Sequence, residues 1–420
     1  MSKTKDTRKV NYIYGIHRGV KIMVIVVGSG AGGATVTKEL AAQGITVILI
    51  ERGPAIAERD AFKHYANVDA EVQIMRTICL GGTTIVSAGN GVRCLEEELR
   101  QVGIDLNEEF EEVEKELGVG VLPDSLFGEG TLRIMEASKK LGLDVKKMPK
   151  FIDPVKCKSD GRCSFGCPEA AKWSALNFVK KAERLGATII TNMPVDEVIV
   201  KSGEVKGVRC GDRVFCDDTV VLSAGALETP RLLKKAGLPT STSSLFVDTF
   251  TTIGGVLEGI GFNKEVTMNA VIRFEDFLLS PHFSRRLGDS MERRGIKASS
   301  EDILGIMVKI KDEELGVIDE QVEKGVTNRD AVLLSEGASL AGAILEEAGA
   351  NPATFVATPL RGAHPGGTAK IGVAVDTNLE TGVSGLYVMD ASVLPAAPGA
   401  PPVLTLVALA KYVSKIIVSS

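Results

Sequence analysis

Three cysteines, Cys157, Cys163 and Cys167 in CKSDGRCSFGCP, follow the spacing C-x5-C-x3-C and run into Pro168. Asp160 and Gly161 supply turn chemistry between the first two, so the three thiols can converge. The chain has seven cysteines at uneven spacing. That is not a disulfide framework, and in a reducing compartment clustered thiols more often bind metal or do redox chemistry. A second chemical signal is GSGAGG, in which Gly28, Gly30 and Gly33 fill the pattern GxGxxG. The first glycine allows a tight turn, the second lets backbone approach a pyrophosphate, and the third permits close helix packing. Glu51 follows, where a carboxylate can accept hydrogen bonds from ribose hydroxyls. A third signal is histidine, whose ordinary pKa of ~6.5 suits proton transfer near neutrality. Only His17, His64, His282 and His364 are present.

The glycines act only if a strand delivers them and a helix leaves them. IMVIVVGSGAGGATVTKELAAQGITVILIERG meets that condition: a continuous apolar run, a glycine turn, a helical period and a second apolar run predict a βαβ unit. The motif alone does not choose between FAD and a nicotinamide cofactor. With 420 residues and 44% hydrophobic content, the chain can bury a large core. Its 49 basic and 54 acidic residues give a formal charge of -5, so no general positive field exists for nucleic acid or anionic lipid. Small molecules are the expected partners. No apolar run of about 18 residues spans a bilayer, and no signal-peptide pattern follows the basic start, which places the chain in the cytoplasm by expectation. Residues 96–120, EEELRQVGIDLNEEFEEVEKELGVG, read as acidic amphipathic helix with a solvated charged face, and 265–279, EVTMNAVIRFEDFLL, as one strand.

Three further blocks stand out: LGGTTIVSAGNGVR at 80–93, VVLSAGALETPRLLKKAGL at 220–238, and HPGGTAKIG at 364–372 followed by GLYVMDASVLPAAPGAPPVLTLVALA at 385–410. The first can lie flat against a cofactor with its amides exposed. In this order, with the βαβ unit, they make the sequence resemble the glucose-methanol-choline oxidoreductase family, flavoproteins that oxidise alcohols and sugars. The resemblance implies FAD and an α/β fold, α+β overall, whose Rossmann-like FAD-binding domain is assembled from both chain ends around an inserted antiparallel-sheet substrate domain. It implies that Gly28, Gly30, Gly33 and Glu51 hold the ADP half. Gly81, Gly82, Thr83 and Asp390 then lie near the pyrophosphate and ribityl-flavin portion. The expected division is a tail at 1–21, FAD-binding parts at 22–95, 156–240 and 358–420, a helical connection at 96–155, and a cap at 241–357, short for the family.

His364 alone sits in the family's motif, directly before PGGT, and the resemblance makes it the general base for a CH–OH group. The family's second His or Asn belongs in the loop before the last helix, but PGAPPVLT carries Pro401 there, which has no hydrogen-bonding side chain and no N–H. Asn90 in SAGNGVR is the named substitute; an electron-transfer flavoprotein is the rival reading. For the cysteines, the segment is similar to that of bacterial FAD-dependent glucose dehydrogenase catalytic subunits, which implies an iron–sulfur cluster passing electrons to a protein or quinone acceptor, hence a dehydrogenase. Plain buried thiols fit the spacing equally, whereas zinc needs a fourth ligand that the segment lacks.

Overall fold

The computed structural model describes residues 11–14 and 23–420, with side chains from 23 onward. His17 and most of the expected tail lie outside the described residues. Within that tail, Asn11–Tyr14 is a strand pairing in parallel with Arg213–Cys216.

The βαβ unit forms as its pattern requires. Strand Met23–Val27 is wholly buried, helix Ala31–Ala42 follows the glycine turn, and strand Thr46–Ile50 returns in parallel. These two strands are the centre of a five-stranded parallel sheet in the order Leu386–Val388, Val220–Leu222, Met23–Val27, Thr46–Ile50, Thr188–Ile190. Both chain ends therefore supply strands to one sheet. Continuous Val, Ile and Leu runs suit strands covered on both faces. Helix Ala31–Ala42 packs between helices Ala175–Arg184 and Val403–Ser419, while a four-stranded sheet contributes Val198, Val205 and Phe215 to the same core.

A second, eight-stranded sheet, mostly antiparallel, carries the substrate side. Its spine is Thr249–Val256 between Ile303–Ile310 and Arg361–Gly362, with helix Asn328–Glu347 packed on it. Thr327 and Asp330 close that helix's N-terminus reciprocally, Oγ1 accepting from Asp330 N–H and Oδ2 from Thr327 N–H. Three strands of this sheet, Gln73–Ile74, Val145–Lys147 and Arg361–Gly362, lie outside 241–357, so that division cuts through the sheet. The single strand expected over 265–279 is a hairpin, Ala270–Arg273 and Phe277–Pro281, because Glu275 and Asp276 sit at the turn.

The acidic stretch also differs from expectation. Helix Asn107–Leu117 turns part of its charge inward: Glu116 meets Lys38, Lys181 and Lys411, and Glu112 meets Lys411 and Lys415. The helical connection thus clamps three helices of the parallel-sheet layer, Ala31–Ala42, Ala175–Arg184 and Val403–Ser419.

Candidate active site

A cavity of about 1040 Å³ runs between the two sheets, and Gly28, Gly30, Glu51, Asn90, His364 and Asp390 all line it. Its dinucleotide end is built from backbone. Gly28 has φ +97°, and a Cβ there would sit 2.2 Å from Ser223 O; one on Gly33 would sit 1.9 Å from Gly28 O. These two positions exclude side chains for packing reasons. A Cβ on Gly30 would meet nothing within 4 Å, because it would project into the cavity. Helix Ala31–Ala42 has no side-chain cap, so its first amides are free to face an anion. Glu51 gathers the cradle: Oε2 accepts from Ser29 N–H at 3.0 Å and Ser29 Oγ at 2.6 Å, and Oε1 from Gly53 N–H at 2.7 Å. Ser29 Oγ also accepts from Gly81 N–H at 2.9 Å, which ties the GGT block to the cradle, with Gly82 lying against Gly30. Thr83 lines the cavity and its Oγ1 accepts from Thr77 N–H.

Asp390 fixes the facing turn, accepting from Gly225 N–H at 2.9 Å, Thr229 Oγ1 at 2.5 Å and Ser392 N–H at 2.8 Å. A third glycine of this turn is constrained without being part of the GxGxxG pattern: a Cβ on Gly32 would lie 2.0 Å from Met389 O, the residue before Asp390. The open Gly30 face, the uncapped helix and the cavity's volume fit FAD.

At the other end Asp248, directly before strand Thr249–Val256, and the HPGGT loop bring two side chains together. His364 Nδ1 lies 2.7 Å from Asp248 Oδ2 and 3.2 Å from Lys309 Nζ. Asp248 is fully buried, accepts from Gly399 N–H at 2.9 Å, and holds φ +52°, a left-handed strain that persists only where surroundings impose it. Burial holds the His364 pKa well below its usual value, with Lys309 adding to the effect, so the ring is neutral near pH 7. Burial raises the Asp248 pKa and lowers that of Lys309. With Nδ1–H donated to Asp248, Nε2 is the atom left to accept a proton. Neither Asp248 nor Lys309 carries a local sequence signal; only the tertiary fold places them here.

Asn90 lines the same cavity but is committed elsewhere. Its Oδ1 accepts from Lys150 Nζ at 2.5 Å and its Nδ2 lies 3.5 Å from Met268 Sδ, with no bond to His364. It anchors Lys150, whose Nζ also donates to Thr267 O and Ala88 O, and whose pKa burial pushes down to about 7. Pro401 lines the cavity without a polar side chain, as the sequence implied.

The three cysteines do converge, on a space of about 10 Å³. That is room for about one water. Among the described residues no group of three or more His, Cys, Asp or Glu side chains is disposed to hold a metal ion. The residues as arranged do not fit an iron–sulfur cluster. Burial raises the Cys157 and Cys163 pKa values, and the thiols pack with Ile152, Ala171 and Val266. Neighbouring Lys172, buried, donates to Thr84 O at 3.0 Å and Ile85 O at 2.8 Å, joining this segment to the GGT block.

Residues 22–265 and 311–410 match the two family profiles described as GMC oxidoreductase. An uncharacterized protein of Methanocaldococcus jannaschii is 33% identical over 92% of this chain and 97% of its own. Formate oxidase of Aspergillus oryzae superposes with TM-score 0.75 at 16% identity, covering 95% of this chain and 98% of that one. Pyridoxine 4-oxidase of Mesorbium loti does so with TM-score 0.72 at 15% identity, covering 95% and 100%. The chain belongs to the GMC oxidoreductase family, and its mixed fold is the one those structures share.

Proposed function

We propose that this GMC oxidoreductase is an FAD-dependent enzyme that oxidises a CH–OH group, with His364 as the general base. The observation that carries the proposal is the Asp248–His364 pair at 2.7 Å, set in the wall of the cavity whose far end is the glycine cradle. When bound, FAD supplies the acceptor for the hydride that leaves the carbinol carbon. Gly28, Gly30, Gly33 and the first turn of helix Ala31–Ala42 hold its pyrophosphate, Glu51 its ribose, and Gly81, Gly82, Thr83 and Asp390 the walls around it. His364 Nε2 takes the hydroxyl proton. Asp248 fixes the tautomer through Nδ1 and stabilises the imidazolium once the proton arrives, the role a buried carboxylate plays behind any such base. Lys309 Nζ, 3.2 Å from His364 Nδ1, stands on the same side of the base as Asp248.

The expectation of a dehydrogenase drew on a cluster as an exit for electrons, which the cysteine segment as folded does not provide. The proposal therefore rests on CH–OH oxidation, and oxygen consumption decides the acceptor. The folds of a formate oxidase and a pyridoxine oxidase are both similar, so fold does not choose the substrate. The test is anaerobic mixing of FAD-loaded protein with a panel of alcohols, polyols, sugars and their acids. Bleaching of the flavin band by at least one compound is the expected result. No bleaching by any of them, with rapid bleaching by a reduced redox protein, supports the electron-transfer reading instead.

A further inference from the structure

We infer that the substrate is an alcohol bearing an oxyanion, carboxylate or phosphate, close to the carbon that is oxidised, and that Arg361 and Arg286 bind that oxyanion. The inference rests on the CH–OH reading above and narrows its substrate class.

Arg361 lies three residues before His364, in the strand Arg361–Gly362 that pairs with Thr249–Val256, and it lines the cavity. It is only 8% exposed. Buried charges are paired as a rule, because an unpaired one loses its hydration without compensation. Among the described residues Arg361 forms no ion pair: Nη2 reaches Ser284 Oγ at a long 3.4 Å, and Nε has no partner at all. Its guanidinium stands over the Phe250 ring at 5.1 Å, and Lys309 Nζ stands over the same ring at 5.5 Å. Since Lys309 also touches His364, the guanidinium and the base share one wall of the cavity.

Arg286, half-buried, lines that wall with one uncharged partner, Gln73 Oε1 at 3.1 Å. The two guanidiniums repel each other, and Arg286 adds to burial in lowering the Arg361 pKa to about 10. Two like charges beside a cavity, without a carboxylate, are what an anionic ligand would relieve, and guanidinium matches carboxylate and phosphate geometry.

The other cations of the cavity make the contrast. Arg52, Arg76 and Arg231 converge on Glu228, and Lys309 has Asp248 beside it. Each of these four cations has a carboxylate beside it, which neither Arg361 nor Arg286 has among the described residues. The pyrophosphate has its own cradle on the parallel sheet, so Arg361, in the antiparallel sheet, and Arg286, in helix Arg285–Arg293 packed against that sheet, are not required for it.

The experiment uses the FAD-loaded enzyme and matched pairs under anaerobic conditions: lactate against propane-1,2-diol, glycerate against glycerol, glycerol 3-phosphate against glycerol, gluconate against glucose. The expected result is that at least one oxyanion member reduces the flavin with a second-order constant about 100-fold above its neutral partner, as for sites built around a polar substrate group. The carboxylate and phosphate arms separate the two sources of the oxyanion. Arg361→Gln and Arg286→Gln should each remove about 10-fold or more of that preference through KM, leave the neutral partner's constant unchanged, and retain FAD. Should Arg361→Gln fail to fold, the half-buried Arg286 carries the same test.

A second readout does not need turnover. Oxalate or inorganic phosphate should perturb the flavin spectrum saturably, and at least 10-fold more weakly in the variants. Neutral partners reacting as well as the oxyanions, or variants that lose FAD affinity while leaving the preference intact, overturn the inference and leave CH–OH oxidation standing. If no compound of either series reduces the flavin, the CH–OH reading fails; anion titration then still decides the subsite, and an unperturbed spectrum overturns it.

Discussion

The two ends of the cavity solve the problem of buried polarity in opposite ways. At the dinucleotide end the polar groups are largely backbone amides from one short stretch, Gly28 to Gly33, and the two carboxylates beside them, Glu51 and Asp390, each accept three hydrogen bonds. At the substrate end the polar groups are side chains drawn from positions 248, 286, 309, 361 and 364, and two of them, Arg286 and Arg361, have no counter-charge among the described residues. A backbone cradle can be encoded locally and stays neutral until its ligand arrives. A wall of side chains requires the whole antiparallel sheet, and its charges must be matched either by each other or by a ligand.

The sharpest way to break this contrast is at the cradle. Gly30→Glu should abolish FAD binding outright while the apoprotein folds, because the added side chain has free space but fills the pyrophosphate position with like charge. Retention of flavin absorbance in the purified variant would contradict the placement. Gly32→Ala is the complementary case. Its Cβ would lie 2.0 Å from Met389 O, so the helix must shift, and thermal or denaturant unfolding should report a loss of about 3 kcal/mol. Unchanged stability would mean that the close approach of helix and strand is not as described.

A smaller effect is expected away from both ends. Glu116, which receives Lys38 Nζ at 2.8 Å on both oxygens, is pulled down to about 2: burial alone would raise its pKa, but Lys38 and then Lys411 outweigh that. A depressed carboxylate pKa contributes stability above its unfolded value of 4.5, lost as pH falls toward about 2. Glu116→Gln should therefore cost about 1–2 kcal/mol at pH 7 after allowance for its partial exposure, with the difference shrinking in acid. A pH-independent difference would assign the effect to packing.

The same contrast explains what the sequence revealed. The βαβ unit and the fourfold order of motif blocks were legible because strand, turn and helix periodicities are local, and Gly30 needed no tertiary information. His364 was legible through its motif. Asp248 was not, since VDTF has no pattern that distinguishes a carboxylate that meets a histidine from an ordinary polar residue beside a strand, and its contact with His364 appears only when the HPGGT loop packs beside it. The bonds of Asn90 were hidden for the same reason: nothing in SAGNGVR announces that Lys150, sixty positions away, takes its oxygen. The cysteine spacing correctly implied convergence, but spacing does not report the volume enclosed. The acidic helix looked solvated because its lysine partners Lys38, Lys411 and Lys415 lie in distant helices.

The pH dependence of the reductive step follows from the substrate wall. Asp248 must be ionised to accept Nδ1–H, and burial raises its pKa, so the acid limb should lie above the ordinary 3.8. Lys309 loses its charge below the ordinary 10.5 for the same reason, which sets the alkaline limb. A bell narrower than these two values is expected from rapid mixing across pH. Limbs at the ordinary values would place both groups in water.

The central claim is that His364 accepts the substrate proton with Asp248 behind it, and single-turnover reduction of the bound flavin by an active alcohol tests it most directly. Both His364→Ala and Asp248→Asn should keep FAD at full stoichiometry. The first should slow reduction about 100-fold or more and the second about 10-fold or more, with the acid limb lost in Asp248→Asn. Wild-type reduction rates in His364→Ala, with FAD in place, would contradict the account.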